Sequence, residues 1–210
     1  MQTRGRRFSA PVAEKLRLPR TLQISPRKRV SRARRIAASD AVLTHVGPCH
    51  LGVDPGGKGA WALLDGRGGL VDAEHFPLSS DGIVDAARLL ARWRDLGIVA
   101  ATIERVGQIT RVKGRAMGIS GRFKFGMNAG VPRSVLEILG VPVTYVDPAA
   151  WKRATGVTSN KKTSLRAAQQ LWPEHADSLF VLVKDVDRAE AALLARFGQR
   201  TGRTTIRRTA

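Results

Sequence analysis

Cysteine is almost absent: the chain has one, Cys49, in 210 residues. That excludes an internal disulfide and a cysteine-built zinc cluster, and leaves Cys49 as a small buried residue at the start of a strand. Histidine is scarce too. His45, His50, His75 and His175 are scattered without metal-ligand spacing, so no chemistry is assigned to them. No apolar run approaches the ~20 residues of a membrane-spanning helix, and no membrane partner is expected. Acids are the third shortage: 17 Asp and Glu stand against 36 Lys and Arg, a net charge of +19.

The distribution of that charge says more than its size. Residues 1–48 hold 12 of the basic residues against two acids, Glu14 and Asp40, and residues 196–210 hold five Arg and no acid. Residues 49–195 are left with 19 basic and 15 acidic residues, a near-balanced +4. Basic flanks of this kind favour a polyanion, nucleic acid above all, and speed the encounter with it. An acidic membrane surface or plain solubility is the simpler reading. Residues 1–47 have Arg clusters separated by Pro11, Pro19 and Pro26 and no sustained periodicity. Such a segment buries too little surface to offset its ordering entropy, so disorder is expected until it meets DNA or RNA. It is also Arg- and Ser-containing and poor in acids, as organelle transit peptides are. A translation start further downstream would account for it equally. Location follows from that choice: an organelle for a transit peptide, the cytoplasm and nucleoid for a bacterial or phage chain. The expected layout is a basic extension (1–47), one domain (48–198) with a core drawn from 43% hydrophobic residues, and a basic tail (199–210).

From residue 49 the pattern becomes periodic. Residues 51–54, 60–64 and 69–76 read as three strands joined by Gly-rich turns, an antiparallel meander. Asp81 is the expected cap of a helix over 82–95, with Ile83, Ala86, Ala87, Leu90 and Ala91 as its apolar stripe. Residues 99–104 form an apolar run suited to a buried parallel strand. The Gly- and Lys/Arg-rich stretch 107–126 reads as irregular at first, and a helix is expected over 127–139. A fifth strand follows at 142–147, then helices at 148–154, 161–171 and 187–198. Three antiparallel strands, then helix, strand, helix, strand, helix is the order of the ribonuclease H-like α/β fold: a mixed five-stranded sheet flanked by helices. In that fold the first and fourth strands are neighbours, and a late helix packs across the sheet near them.

The acids fall at telling places on this map. Asp54 ends the first strand and is followed by a turn-forming Pro55-Gly56 pair, which is by itself an ordinary turn. Glu104 ends the fourth strand. On neighbouring strands the two carboxylates would lie roughly 5–8 Å apart. Asp185, Asp187 and Glu190 stand at the start of the last helix, where either Asp could instead serve as a cap. Carboxylates meeting at one point repel unless a divalent cation lies among them, and all-oxygen ligation suits Mg2+ or Mn2+. Two such ions about 4 Å apart support phosphodiester hydrolysis.

The residues also carry a resemblance. The chain is similar to RuvC-like Holliday junction resolvases, nearest to the branch found in phages and in plant chloroplasts (the monokaryotic chloroplast type). The match spans residues 51–198. It rests on GVDPG at 52–56, IE at 103–104, GISGRFKFG at 118–126, VDPAAWK at 146–152, NKKTS at 160–164, LWP at 171–173 and RAEAALLA at 188–195. The resemblance implies a homodimer that uses Mg2+ to place two symmetric nicks across a four-way DNA junction. It makes Asp54 and Glu104 the first two metal ligands and Glu190 the last acid of the closing helix. The remaining ligand is open. The branch's spacing gives Asp185, which is preferred because that branch carries Gly at position 187. The bacterial spacing, and the i, i+3 geometry of one helix face, give Asp187.

The resemblance also places a phosphate-contacting lysine at Lys161, with Lys162 as the alternative. Physically, such a lysine offsets phosphate charge or stabilises the transition state. Arg122, Phe123, Lys124 and Phe125 combine stacking rings with phosphate-binding cations; both rings in the core is the plainer reading. Trp151 and Trp172 are expected in the core, and the 127–139 helix at the dimer interface. Three other functions compete: a ribonuclease H-like nuclease acting on hybrids or flaps, a non-catalytic DNA-binding protein on the same fold, and a sugar-kinase or actin-like ATPase. The last needs two such domains, and this chain has length for one.

Overall fold

The computed structural model describes residues 47–55, 59–107, 111–112 and 115–207. The expectations placed on the basic extension lie outside them, Gly47 apart, as do Gly56, Gly57 and Lys58 of the turn after Asp54. The strands are β1 (Cys49–Asp54), β2 (Ala60–Leu64), β3 (Leu70–His75), β4 (Ile98–Glu104), a small hairpin β5 (Arg111–Val112) and β6 (Arg115–Ala116), and β7 (Val143–Val146). The helices are α1 (Ala86–Trp93), α2 (Ile119–Ile138), α3 (Pro148–Thr155), α4 (Lys161–Leu171) and α5 (Val186–Arg207).

Five strands make one mixed sheet in the order β3-β2-β1-β4-β7. β1–β2 and β2–β3 are antiparallel, and β1–β4 and β4–β7 are parallel. This is the expected strand order, with β1 and β4 adjacent. The two-residue period of a strand sorts side chains onto two faces. Cys49, Leu51, Val53, Trp61, Leu63, Ala101 and Ile103 face one core, closed by Leu89 and Trp93 of α1 and Val135 and Leu136 of α2. Ala60, Ala62, Leu64 and Ala73 face the other core, closed by Trp151 of α3, Ala168 of α4, and α5. Asp54, Thr102 and Glu104 alternate with the first set, so they point toward the α5 side. Cys49 is fully buried at the start of β1, and burial pushes its thiol up to about 11.

Local chemistry corrects two expectations for α1. Asp85, not Asp81, caps α1 by accepting from the Arg88 backbone N–H. Asp81 instead accepts from Ser79 in the preceding turn. The buried face of α1 is Leu89 and Trp93, while Ala86, Ala87 and Ala91 are exposed. Counting alanines as core residues misplaced the stripe by about one position. Arg92 reaches from that helix to Asp72 and Glu74 on β3 and lies 5.5 Å over the Trp61 ring.

Helix α2 begins at Ile119, not 127. Its first two turns carry exposed residues and Gly121 and Gly126, so they show no inward stripe to read. Its later half is anchored by Val135, Leu136 and the buried Asn128, whose side chain accepts from Val84 N–H and donates to the Gly82 carbonyl. Helix α5 runs through to Arg207, so residues 199–207 continue the closing helix. Among the described residues, no helix is long and apolar enough to cross a membrane.

Candidate active site

Asp54 and Glu104 are the last residues of two adjacent parallel strands. Their register pairs Val53 with Ile103, which places the two acids side by side at the carboxyl end of the sheet. Strands so paired lie about 4.8 Å apart. Asp54 is buried and Glu104 half-buried.

Helix α5 lies directly on these strands because two glycines allow it. A Cβ on Gly52 would stand 2.0 Å from the Ala191 carbonyl oxygen and 2.4 Å from the Ala195 amide nitrogen. At the other end, a Cβ on Gly198 would stand 1.7 Å from Thr102 Oγ1 and 2.6 Å from His50 Nε2. Those two side chains are hydrogen-bonded to each other at 2.8 Å. Between the two close approaches, Ala191, Ala192 and Ala195 of α5 are wholly buried. This packing carries Glu190, buried one turn into α5, to the face on which Asp54 and Glu104 sit.

Each acid is held. The Trp151 indole N–H donates to Glu104 Oε2 at 2.6 Å. The Ser164 hydroxyl donates to Glu190 Oε1 at 3.0 Å, and Lys152 Nζ lies 3.8 Å from the same oxygen. Lys161, the first residue of α4, places Nζ 3.0 Å from Asp187 Oδ1. Burial raises the Glu104 carboxyl above the usual carboxylate range; the Trp151 bond and Lys152 pull it back, and the charge of Glu190 adds to the rise. Burial works against the Lys161 ammonium. Its bond and attraction to Asp187, with the fields of Glu190 and Asp54, nevertheless keep its pKa above the ordinary value. Lys161 thus meets Asp187 and feels the charges of Glu190 and Asp54, while Lys152 stands near Glu190 and acts on Glu104.

The two candidates for the remaining acid have different surroundings. Asp185 is 2% exposed; its Oδ2 accepts from the backbone N–H groups of Val181 and Leu182, at 3.1 and 2.8 Å. Its Oδ1 faces Arg188 Nη2 at 2.5 Å. Oδ2 is thus taken up in fixing the start of α5, whereas the buried Oδ1 makes the Arg188 ion pair but no hydrogen bond. Asp187 lies one turn before Glu190 and meets Lys161. Among the described residues, no three Asp, Glu, His or Cys side chains stand close enough to hold a metal ion together.

The sequence-derived DNA candidates divide. Lys161 joins the acids, whereas Lys162 is exposed and its backbone N–H is capped by Asn160. Arg122, Phe123, Lys124 and Phe125 lie on the first turns of α2 rather than in a loop. Phe123 is 70% exposed and so is not a core residue. Lys124 donates to the Asp81 carbonyl oxygen. Trp151 and Trp172 are buried as expected. The reading of Trp151 as core alone missed its bond to Glu104, and Lys152, Ser164 and Gly52 were not singled out. The signal existed: Trp151, Lys152 and Ser164 all fall in the short runs that carried the resemblance.

A mixed sheet with this order and an acid at the end of each of two central parallel strands is a ribonuclease H-like arrangement. Within that class the fold is the RuvC-like resolvase fold. Thermus thermophilus RuvC in complex with a Holliday junction substrate is similar with a TM-score of 0.54 at 18% identity, over 75% of this chain and 97% of that one. A second Thermus thermophilus RuvC structure gives 0.50 at 20% identity, over 73% and 96%. The yeast mitochondrial Holliday junction resolvase Ydc2 gives 0.50 at 14% identity, over 80% and 85%. No protein-family model matches the sequence, and no curated protein matches it.

Proposed function

We propose that this chain is a metal-dependent endonuclease that resolves four-way DNA junctions by paired symmetric nicks, acting as a homodimer. The observation that carries the reading is the placement of Asp54 and Glu104 side by side at the ends of β1 and β4, with the buried Glu190 of α5 packed on the same face, in a fold shared with junction resolvases; as they stand, no three of these acids are close enough to hold an ion together. Asp187 is the fourth acid in this proposal, in place of Asp185, because Asp187 meets Lys161 while Asp185 anchors the helix start through Oδ2 and pairs with Arg188.

The donor chemistry fits a hard divalent cation. Every candidate ligand is a carboxylate, which suits such an ion; burial above all raises the Glu104 carboxyl, and the charge of Glu190 adds to the rise. Asp54, Glu104, Asp187 and Glu190 would hold Mg2+, or Mn2+ in its place, with two ions per site. Bound there, the metal supplies Lewis-acid activation of phosphodiester hydrolysis. The chain's own residues do the rest. Trp151 fixes the Glu104 carboxylate, and Ser164 and Lys152 fix Glu190. Lys161 offers an ammonium to the phosphate in exchange for Asp187. Arg122, Phe123, Lys124, Phe125 and Lys162 extend the DNA-binding surface, and the exposed Met127 and Ile138 on α2 support an intermolecular interface.

The test is purified full-length protein on a synthetic four-way junction, a linear duplex, an RNA–DNA hybrid and a flap, each with Mg2+. Paired nicks on the junction are expected, with Asp54→Asn and Glu104→Gln losing at least ~100-fold in rate while junction binding survives. Preference for the hybrid or flap would move the assignment to another ribonuclease H-like nuclease. Unchanged nicking in both variants would remove these carboxylates from the chemistry.

A further inference from the structure

At the foot of the sheet, the end away from the carboxylates, β1, β4, β7 and α5 enclose an open groove of about 590 Å3. Its walls include Pro48, Val99, Ala100 and Thr144, with Gly198 and Gly202 on the α5 side. Val99 is 55% exposed there, and Thr144 is exposed as well. Among the described residues, no Lys, Arg, Asp or Glu lines the groove. Its polar side chains are engaged within the chain. His50 and Thr102 bond each other at 2.8 Å, Gln199 donates to the Asp65 carbonyl, and the Thr201 hydroxyl donates to the Phe197 carbonyl. A phosphate backbone finds no cation in this groove, and a charged peptide finds no counter-charge. What it offers is apolar surface.

The chain itself arrives at the rim. Pro48 lines the groove, and the residues around it are pinned: the Cys49 N–H donates to the Gly97 carbonyl at 2.9 Å, and the Cys49 thiol donates to the Gly47 carbonyl at 3.1 Å. Upstream of Gly47 the sequence is not uniformly basic. No Lys or Arg falls between Arg35 and Lys58, and residues 41–46 read Ala-Val-Leu-Thr-His-Val. That short run has the apolar and β-branched content that the Arg-rich part lacks, so it has surface to bury. From β1 across β4 to β7 is two strand spacings, about 10 Å. Six residues span up to about 20 Å, enough to cross it. A segment tethered at the rim also faces the groove at an effective concentration on the order of millimolar, an advantage no separate partner has.

We propose that residues 41–46 of the same chain dock in this groove, with Val42, Leu43 and Val46 covering the foot of β4 and β7. The folded domain then begins near residue 41 rather than at 48, and only the Arg-rich residues before it form the polyanion-binding extension.

The experiment is hydrogen–deuterium exchange by mass spectrometry on the full chain, beside thermal melts. Neither readout involves nicking, so the outcome is independent of the nuclease reading. Amides of residues 42–46 should exchange at least ~10-fold more slowly than in an unprotected chain. Leu43→Asp should return them to the unprotected rate and lower Tm by about 3 °C or more, as expected for exposing one large apolar side chain. Val99→Asp places a charge on the groove wall at an exposed position and should abolish the same protection. In the Val99→Asp background, Leu43→Asp should then lower Tm by less than about 1 °C, because nothing is left to undock. If Val99→Asp does not fold, Thr144→Asp on the same wall takes its place. Additive Tm losses would show that the two residues do not meet and would overturn the proposal. Exchange of residues 42–46 at the unprotected rate in the wild-type chain would overturn it as well. So would protection that falls on dilution together with a dimeric sedimentation mass, which would put the segment of one copy into the groove of another.

Discussion

Gly52→Ala tests how the fold builds the site. The added Cβ would stand 2.0 Å from the Ala191 carbonyl oxygen, against an ordinary contact distance of 3.4 Å, so something must yield by about 1.4 Å. Neither neighbour is a flexible side chain: one is the backbone of α5, the other the backbone of a central strand. Helix α5 is therefore expected to lift from β1 and to take Glu190 with it. Overpacking of this kind costs about 1–3 kcal/mol, and for a domain of this size each kcal/mol lowers Tm by about 2–4 °C. A misplacement of about 1 Å in a catalytic array can cost ~100-fold in rate. The assay is a thermal melt beside junction nicking under single-turnover conditions at a temperature where both proteins are folded. Gly66→Ala is the control, because its Cβ would meet only the Pro48 carbonyl at 3.5 Å; it should change stability by less than ~0.5 kcal/mol. A Gly52→Ala protein that melts with wild type and nicks within threefold of it would refute the claim that this close approach sets the position of Glu190.

Asp185→Ala breaks a buried ion pair and frees two backbone N–H groups, so it should cost about 3 kcal/mol or more. Asp187→Ala removes only a pair whose lysine is exposed and should cost under ~1 kcal/mol while abolishing nicking; melts and nicking rates with the signs reversed would return the ligand role to Asp185. Trp151→Phe deletes the N–H that holds the Glu104 carboxyl down. Its pKa should rise further, moving the acid limb of the pH–rate profile to higher pH and slowing nicking about tenfold; an unmoved limb would count against the bond. Burial lowers His50 to about 4 from its ordinary 6.5. The unfolded chain therefore takes up the proton first, and stability present above pH 6.5 is lost as pH falls toward 4, by about 3 kcal/mol in all. Melts from pH 7.5 to 4.5 should show this loss, and His50→Asn should flatten it.

Much of the fold was legible because short-range patterns write it. Alternating apolar residues and Gly-rich turns gave the meander, and an uninterrupted apolar run gave β4 as a buried parallel strand. Asp54 and Glu104 stood out because each ends such a strand. Helix α2 was half legible: its inner stripe marked the second half, while the first half carries glycines and a largely exposed surface with no buried stripe to read. The stripe of α1 was misread because alanine is apolar by composition yet exposed here, and only packing against β2 and β3 selects Leu89 and Trp93.

The sequence by itself determined the charge architecture, the strand order and the positions of Asp54 and Glu104 at strand ends, since these depend on residue type and local period. Tertiary structure alone decided which acid of the closing helix meets the lysine and which is consumed in anchoring it. That choice turns on which way each side chain leaves the first turn of α5, a matter of a few ångströms. The structure alone also showed why Glu190 can reach the sheet. Gly52 and Gly198 are silent in a linear reading, because what they contribute is the absence of a Cβ where another backbone or side chain must pass.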